Sequence, residues 1–216
     1  MTTARDAILA SIRTTLAQNK RAEDTPASLQ HKMQHPARGP LPEWQEDNVS
    51  RFIAKLETVA GTLERITDET QAITAIHTYL QQHALPRQLV SAKSALLDRL
   101  QWPADFTVEQ RGASGSDTTV LTEAFAGVAE TGSLVLLSSR DSPTSLNFLP
   151  DNYLCVLQRD HIVSHIEDVW DRIREHAGHM PRAVNFITGP SRTADVEQTI
   201  QLGAHGPRRL HVLLVG

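Results

Sequence analysis

Apolar positions along this chain show two textures, helical before about residue 118 and strand-like after it. Over residues 5–18, Ile8, Leu9, Ile12 and Leu16 fall on one stripe at helical spacing, which predicts an amphipathic helix. The period is lost over residues 19–42, where Pro26, Pro36, Gly39, Pro40 and Pro42 interrupt the chain. That stretch reads as a linker or an ordered arm. A second helix is expected from Asp47, buried through Val49, Phe52, Ile53, Leu56 and Val59 and ended by Gly61. A third should start at Asp68, bury Ile73, Ile76 and Leu80, and close before Pro86. Short strands are expected at residues 88–91 and 106–108, with a short helix at 94–100 between them.

Beyond Thr118, apolar runs at residues 120–121, 134–137, 153–157, 183–188 and 210–215 alternate with glycines and helical patterns. The clearest such pattern spans residues 161–176, buried through Ile162, Ile166, Val169, Trp170 and Ile173. Strands alternating with helices predict an α/β fold whose sheet is largely parallel and covered on both faces. Residues 1–42 are therefore read as an N-terminal helix with an extended linker, and residues 43–216 as one α/β domain. The first helix has little local core, so its stripe is expected to pack on a partner subunit, with a homo-oligomer among the options.

Composition narrows the function. Of 216 residues, 21 are Lys or Arg and 25 are Asp or Glu, a net charge of −4 that argues against binding nucleic acid or an anionic membrane surface. Residues 1–16 are charged and amphipathic, unlike a signal peptide, and no apolar stretch approaches membrane-spanning length. A cytoplasmic protein is expected. The single cysteine, Cys155, sits in an apolar run and reads as a small buried hydrophobe. One thiol cannot hold an iron–sulfur cluster, so any such centre would belong to a partner.

Three glycine-bounded loops could carry chemistry. In the run Thr188-Gly189-Pro190-Ser191-Arg192-Thr193-Ala194-Asp195-Val196-Glu197, an apolar strand stops at a Gly-Pro turn before hydroxyls, an arginine and a helical pattern. A helix start there would offer free amides, Ser191, Thr193 and the Arg192 guanidinium to an anion. The same run also reads as a plain helix cap, with Glu197 in the first turns. In Gly127-Val128-Ala129-Glu130-Thr131-Gly132-Ser133, one carboxylate lies among small residues, open to a nucleophile or general-base role. Glu130 equally fits a turn cap or a partner for Arg192. In Gly203-Ala204-His205-Gly206-Pro207-Arg208, His205 is a loop-tip histidine, suited either to proton transfer or to a hydrogen-bonded turn.

If the strand before Gly189 belongs to an open parallel sheet, its loop lies outside a carboxyl end, where ligands bind such sheets. Other candidates are weaker. His161 and His165 are spaced i, i+4 but lack a third ligand, and read as surface histidines rather than a metal site. His77, His83, His176 and His179 read as surface or cap residues. Residues 112–116 are glycine-rich without a following lysine, a flexible turn more than a phosphate loop. Residues 138–143 form a polar loop suited to a pocket rim.

Taken in order, these three loops resemble the signature of the LUD-domain family, and the resemblance extends over roughly the whole chain. Ser133 stands where Thr is common and Ala204 where Val is common; both changes keep the polar groups. The resemblance implies a fold similar to the NagB/RpiA/CoA-transferase group, a Rossmann-type sheet with helices on both faces. It also implies a cytoplasmic role in oxidising L-lactate to pyruvate with two partner proteins, at least one carrying iron–sulfur clusters. No cofactor would then be bound by this chain itself. Under that reading Ser191, Arg192, Thr193, Asp195, Gly132, Gly189 and Gly206 bind a small carboxylate or phosphate-bearing ligand, and Glu130 or His205 moves a proton. Alternatives are a non-catalytic assembly or regulatory subunit and, by fold kinship alone, a CoA-transferase-like enzyme using Glu130 as nucleophile.

Overall fold

A run such as residues 210–215, apolar at five of its six positions, has no polar face to give to water, and it lies inside a sheet. The computed structural model describes residues 3–18, 25–34, 37–176, 180–193, 201–203 and 205–216, without side chains at 18, 193, 201 and 202. The chain divides into two units, Met1–Leu41 and Pro42–Gly216. In the first, α1 (Ala4–Gln18) opens on a reciprocal cap: Asp6 N–H donates to Thr3 Oγ1, and Thr3 N–H to the Asp6 carboxylate. Ile8, Ile12 and Leu16 of its stripe are exposed. A second helix, α2 (Pro26–Gln34), forms where periodicity is absent. Its start signal is local: Thr25 accepts from Ser28 N–H, and Pro26 takes the first helical position, where no N–H is needed.

In the second unit the order is α3 (Asn48–Thr58), β1 (Thr62–Ile66), α4 (Ala72–Gln82), β2 (Gln88–Ser91), β3 (Thr107–Gln110), β4 (Thr119–Glu123), β5 (Ala126–Val128) and β6 (Ser133–Leu137). There follow α5 (Ser145–Phe148), β7 (Asn152–Gln158), β8 (Ile162–Val163), α6 (Ile166–His176), β9 (Val184–Ile187), β10 (Arg192–Thr193), β11 (Gln201–Leu202) and β12 (Arg209–Val215). Asp47 caps α3 by accepting from Val49 and Ser50 N–H, and Asp68 caps the turn leading into α4.

Six strands form a central sheet in the order β1-β12-β7-β4-β2-β3, parallel throughout. Helices cover both faces. Leu157 pairs with Leu214, and a side chain added at Gly127 would sit between Leu157 and Phe52 of α3. His211, three residues from Leu214, faces the other way and stacks on Tyr79 of α4. The resulting core runs from Phe52 and Leu56 through Ile76 and Leu80 to the buried strands β7 and β12. This is a mixed α/β fold with a Rossmann-like, parallel central sheet.

A second, four-stranded sheet, β8-β5-β6-β9, mixes parallel and antiparallel pairs and packs α6 through Val169 and Ile173. It corrects one expectation. The stripe over residues 161–176 does not form one helix: Arg159–His161 is a 3₁₀ turn, Ile162–Val163 pairs with β5, and α6 begins at Ile166. Likewise only Leu97–Arg99 of the expected helix at 94–100 is helical, as a 3₁₀ turn. Cys155 is fully buried, and burial pushes its thiol pKa up to about 12. Among the described residues, no helix is long and apolar enough to cross a membrane.

Candidate functional site

The three glycine-bounded loops meet. β5 and β6 form a hairpin whose turn carries Glu130, pinned when Ala129 and Glu130 N–H donate to Val163 and Ser164 carbonyls, at 2.9 and 3.0 Å. Antiparallel pairing of β6 with β9 brings the end of one strand to the start of the other, so Ser133 Oγ lies 2.5 Å from Thr188 Oγ1 and 2.7 Å from Thr131 Oγ1. Ser191 then joins the third loop: its N–H donates to Pro207 O at 2.8 Å, and its carbonyl accepts from Gly203 N–H at 3.0 Å. His205 N–H donates to Ser191 Oγ at 3.3 Å, and Gly206 lies alongside Ser191.

Gly132 and Gly189 have a reason beyond ligand access. Both have positive φ, 70° and 83°. A Cβ at Gly132 would lie 2.4 Å from Leu56 N, and one at Gly189 would lie 2.6 Å from Val59 O. Each turn thus passes backbone to backbone over the C-terminal half of α3, which only glycine allows.

Other expectations change. Ser191 is not a helix start, because Arg192–Thr193 pairs antiparallel with Gln201–Leu202 and the Ser191 amide is already engaged. Asp195, Glu197 and the side chain of Thr193 lie outside the described residues. Nor do the loops sit at a carboxyl end of the parallel sheet. β9 belongs to the other sheet, and residues 203–208 lead into the amino end of β12, where Arg208 and Arg209 N–H donate to Asp151 O. Among the described residues, no hydrogen bond or ion pair engages the half-buried Glu130 carboxylate or the exposed Arg192 guanidinium, and no ion pair joins the two.

The carboxyl ends of the parallel strands carry a different site, built from residues that no local motif announces. From β2 the chain passes to β3 on one side and then to β4 on the other, so the sheet reverses direction between β2 and β4. Ligands of open α/β sheets bind outside such a switch point. A cleft of about 370 Å³ lies there. Its walls are Ala92, Lys93 and Ser94 after β2, Glu123 at the end of β4 with Ala124 and Phe125 beyond it, Leu137 and Ser142, and His161, Arg172 and His176. Ser142 fulfils the pocket-rim expectation, and Lys93 N–H is tied to Asp141 O in the same loop at 2.9 Å.

His161 is correspondingly not a surface histidine. Its side chain is 30% exposed, its Nδ1 is buried without a hydrogen-bond partner, and burial with Arg172 nearby pushes its pKa below the ordinary value. His165 points elsewhere, with Nε2 at 2.8 Å from Pro42 O. Among the described residues, no group of three or more His, Cys, Asp or Glu is placed to hold a metal ion. A smaller cavity of about 190 Å³ near Gln88, Thr107 and Thr119 includes Arg111, Asp117 and Glu109, but these saturate one another through bonds of 2.7–2.8 Å. That pairing holds the Asp117 carboxyl well below the usual carboxylate range.

The family model described as LUD domain matches residues 45–215. Lactate utilization protein C of Bacillus subtilis (strain 168) is 32% identical over 118 residues, 53% of this chain and 49% of that one. The protein of the same name from Geobacillus kaustophilus is 30% identical over 143 residues, 60% and 59% of the two chains, and that from Anoxybacillus flavithermus is 38% identical over 88 residues, 41% and 39%. The chain therefore matches between 39% and 59% of the length of these relatives. In structure it resembles a DUF162 family protein from Deinococcus radiodurans, with a TM-score of 0.59 at 20% identity, covering 81% of this chain and all of that one. The chain belongs to the LUD domain family.

Proposed function

Starting from that membership, we propose that this protein is a cytoplasmic subunit of a lactate-utilisation system that oxidises L-lactate to pyruvate together with iron–sulfur proteins. The names of its relatives support the lactate-utilisation part of this reading. The single cysteine, fully buried, is compatible with a division of labour in which the partners carry the clusters.

The observation that carries a role for the three-loop site is their junction, Thr131–Ser133–Thr188 on one side and Ser191–His205 on the other. Arg192 and Ser191 hold a carboxylate- or phosphate-bearing anion, the guanidinium through two parallel hydrogen bonds. Glu130 or His205 takes or returns the proton. With the partner proteins present, Arg192→Ala should raise the KM for the anionic ligand about tenfold or more. Glu130→Gln should leave KM unchanged and abolish turnover. Full activity in both variants would remove these roles. The exposed apolar stripe of α1 favours a second reading, a non-catalytic assembly subunit, and that same result would support it.

A further inference from the structure

The switch-point cleft lies across the central sheet from the three loops: it opens at the carboxyl ends of β2 and β4, whereas residues 203–208 enter β12 at its amino end. We propose that this cleft is a separate binding site for a small organic monocarboxylate bearing a 2-hydroxy or 2-oxo group, gripped by Arg172 and Lys93. The carboxylate rests on the cleft's own geometry; the 2-hydroxy or 2-oxo group rests also on the lactate reading above.

Arg172 is held in place for such a role. Its guanidinium carbon lies 5.3 Å from the centroid of the Phe125 ring, which orients the planar fork, and its Nε is buried without a hydrogen-bond partner. Lys93 stands exposed at the mouth, on the other side of the switch. The lining holds two basic side chains and one carboxylate, Glu123, so the wall charge suits a monoanion better than a dianion.

The lining also argues against a phosphate cradle. Such cradles are built from glycine-rich backbone or a helix start. No lining residue is a glycine, and the chain after β2 makes only the short turn Leu97–Arg99. Phe125, Leu137, Ala92 and Ala124 instead give an apolar wall for a short carbon skeleton. His161 lines the same cleft and supplies an imidazole there, a group able to hydrogen-bond a hydroxyl or keto oxygen.

Calorimetric titration of the full chain with pyruvate, L-lactate and inorganic phosphate tests the site. Pyruvate and L-lactate should bind, and inorganic phosphate should not displace pyruvate. Arg172→Ala should weaken pyruvate binding about tenfold or more, and Lys93→Ala severalfold. Thermal unfolding checks that each variant is folded, and because Lys93 is exposed its substitution decides the matter if Arg172→Ala unfolds. Unchanged binding in the folded variants, or no binding of either acid by the wild type, overturns the proposal. So does displacement of pyruvate by phosphate, or loss of binding in Arg192→Ala with Arg172→Ala intact. Pyruvate binding that depends on Arg172, with no lactate turnover in the reconstituted system, would sustain the cleft and sink the pathway reading.

Discussion

Acidification should destabilise this protein through one buried side chain, His211. On β12 it is 8% exposed, with Nδ1 2.8 Å from Thr62 Oγ1, which in turn lies 3.2 Å from Leu210 O. If the Thr62 hydroxyl donates to that carbonyl, its oxygen accepts from Nδ1–H, and Nε2 is left bare. That nitrogen is buried with no hydrogen-bond partner, under the stacked Tyr79 ring at 4.7 Å. A proton added there would be a buried charge without an acceptor, so burial pushes the pKa from 6.5 down to about 4, and His83 adds like charge. Above the unfolded value neither state binds the proton, and the full stability is present. As pH falls from 6.5 towards 4 only the unfolded chain takes it up, so stability declines, by about 3 kcal/mol in all. Urea unfolding of wild type and His211→Gln between about pH 4 and pH 7 isolates the effect, since other carboxylates and histidines cancel in the difference. The wild-type curve should fall more steeply than the variant's across that window. Parallel curves would refute the reasoning.

Two further outcomes follow from packing. Gly132→Ala combines a left-handed backbone with a Cβ 2.4 Å from the backbone of α3 and should cost about 2–5 kcal/mol in urea unfolding, whereas Gly115→Ala, with open space around it, should stay within about 0.5 kcal/mol. Equal stabilities would show that the hairpin turn can move off the helix. Cys155, fully buried with a thiol pKa of about 12, should resist alkylation at about pH 8 in the folded protein and react only on unfolding; rapid native labelling would contradict its place in the core.

Much of the fold was legible because burial leaves a periodic trace. Residues 153–157 and 210–215 are apolar on both faces of their strands, and Phe52 with Leu56, or Ile76 with Leu80, mark helices at their own period. β1 escaped notice because it is an edge strand: Thr62, Glu64 and Arg65 face solvent and dilute the pattern. The helix expected from residue 161 ran too long because Ile162 falls on the same stripe as Ile166, Val169 and Ile173, although Val163 spends its backbone on β5. The three loops were legible as motifs, and the pairing of β6 with β9 makes them neighbours. Lys93, Glu123, His161 and Arg172 were not, since they come from four segments that only the reversal of strand order between β2 and β4 brings together.

The reading of this chain as part of a lactate-oxidising system is tested most directly by pyruvate formation from L-lactate in a mixture of the iron–sulfur partner proteins, with and without this chain. The account predicts that turnover requires the chain and stops when Glu130→Gln replaces it. Partners that convert L-lactate at the same rate in its absence would contradict it.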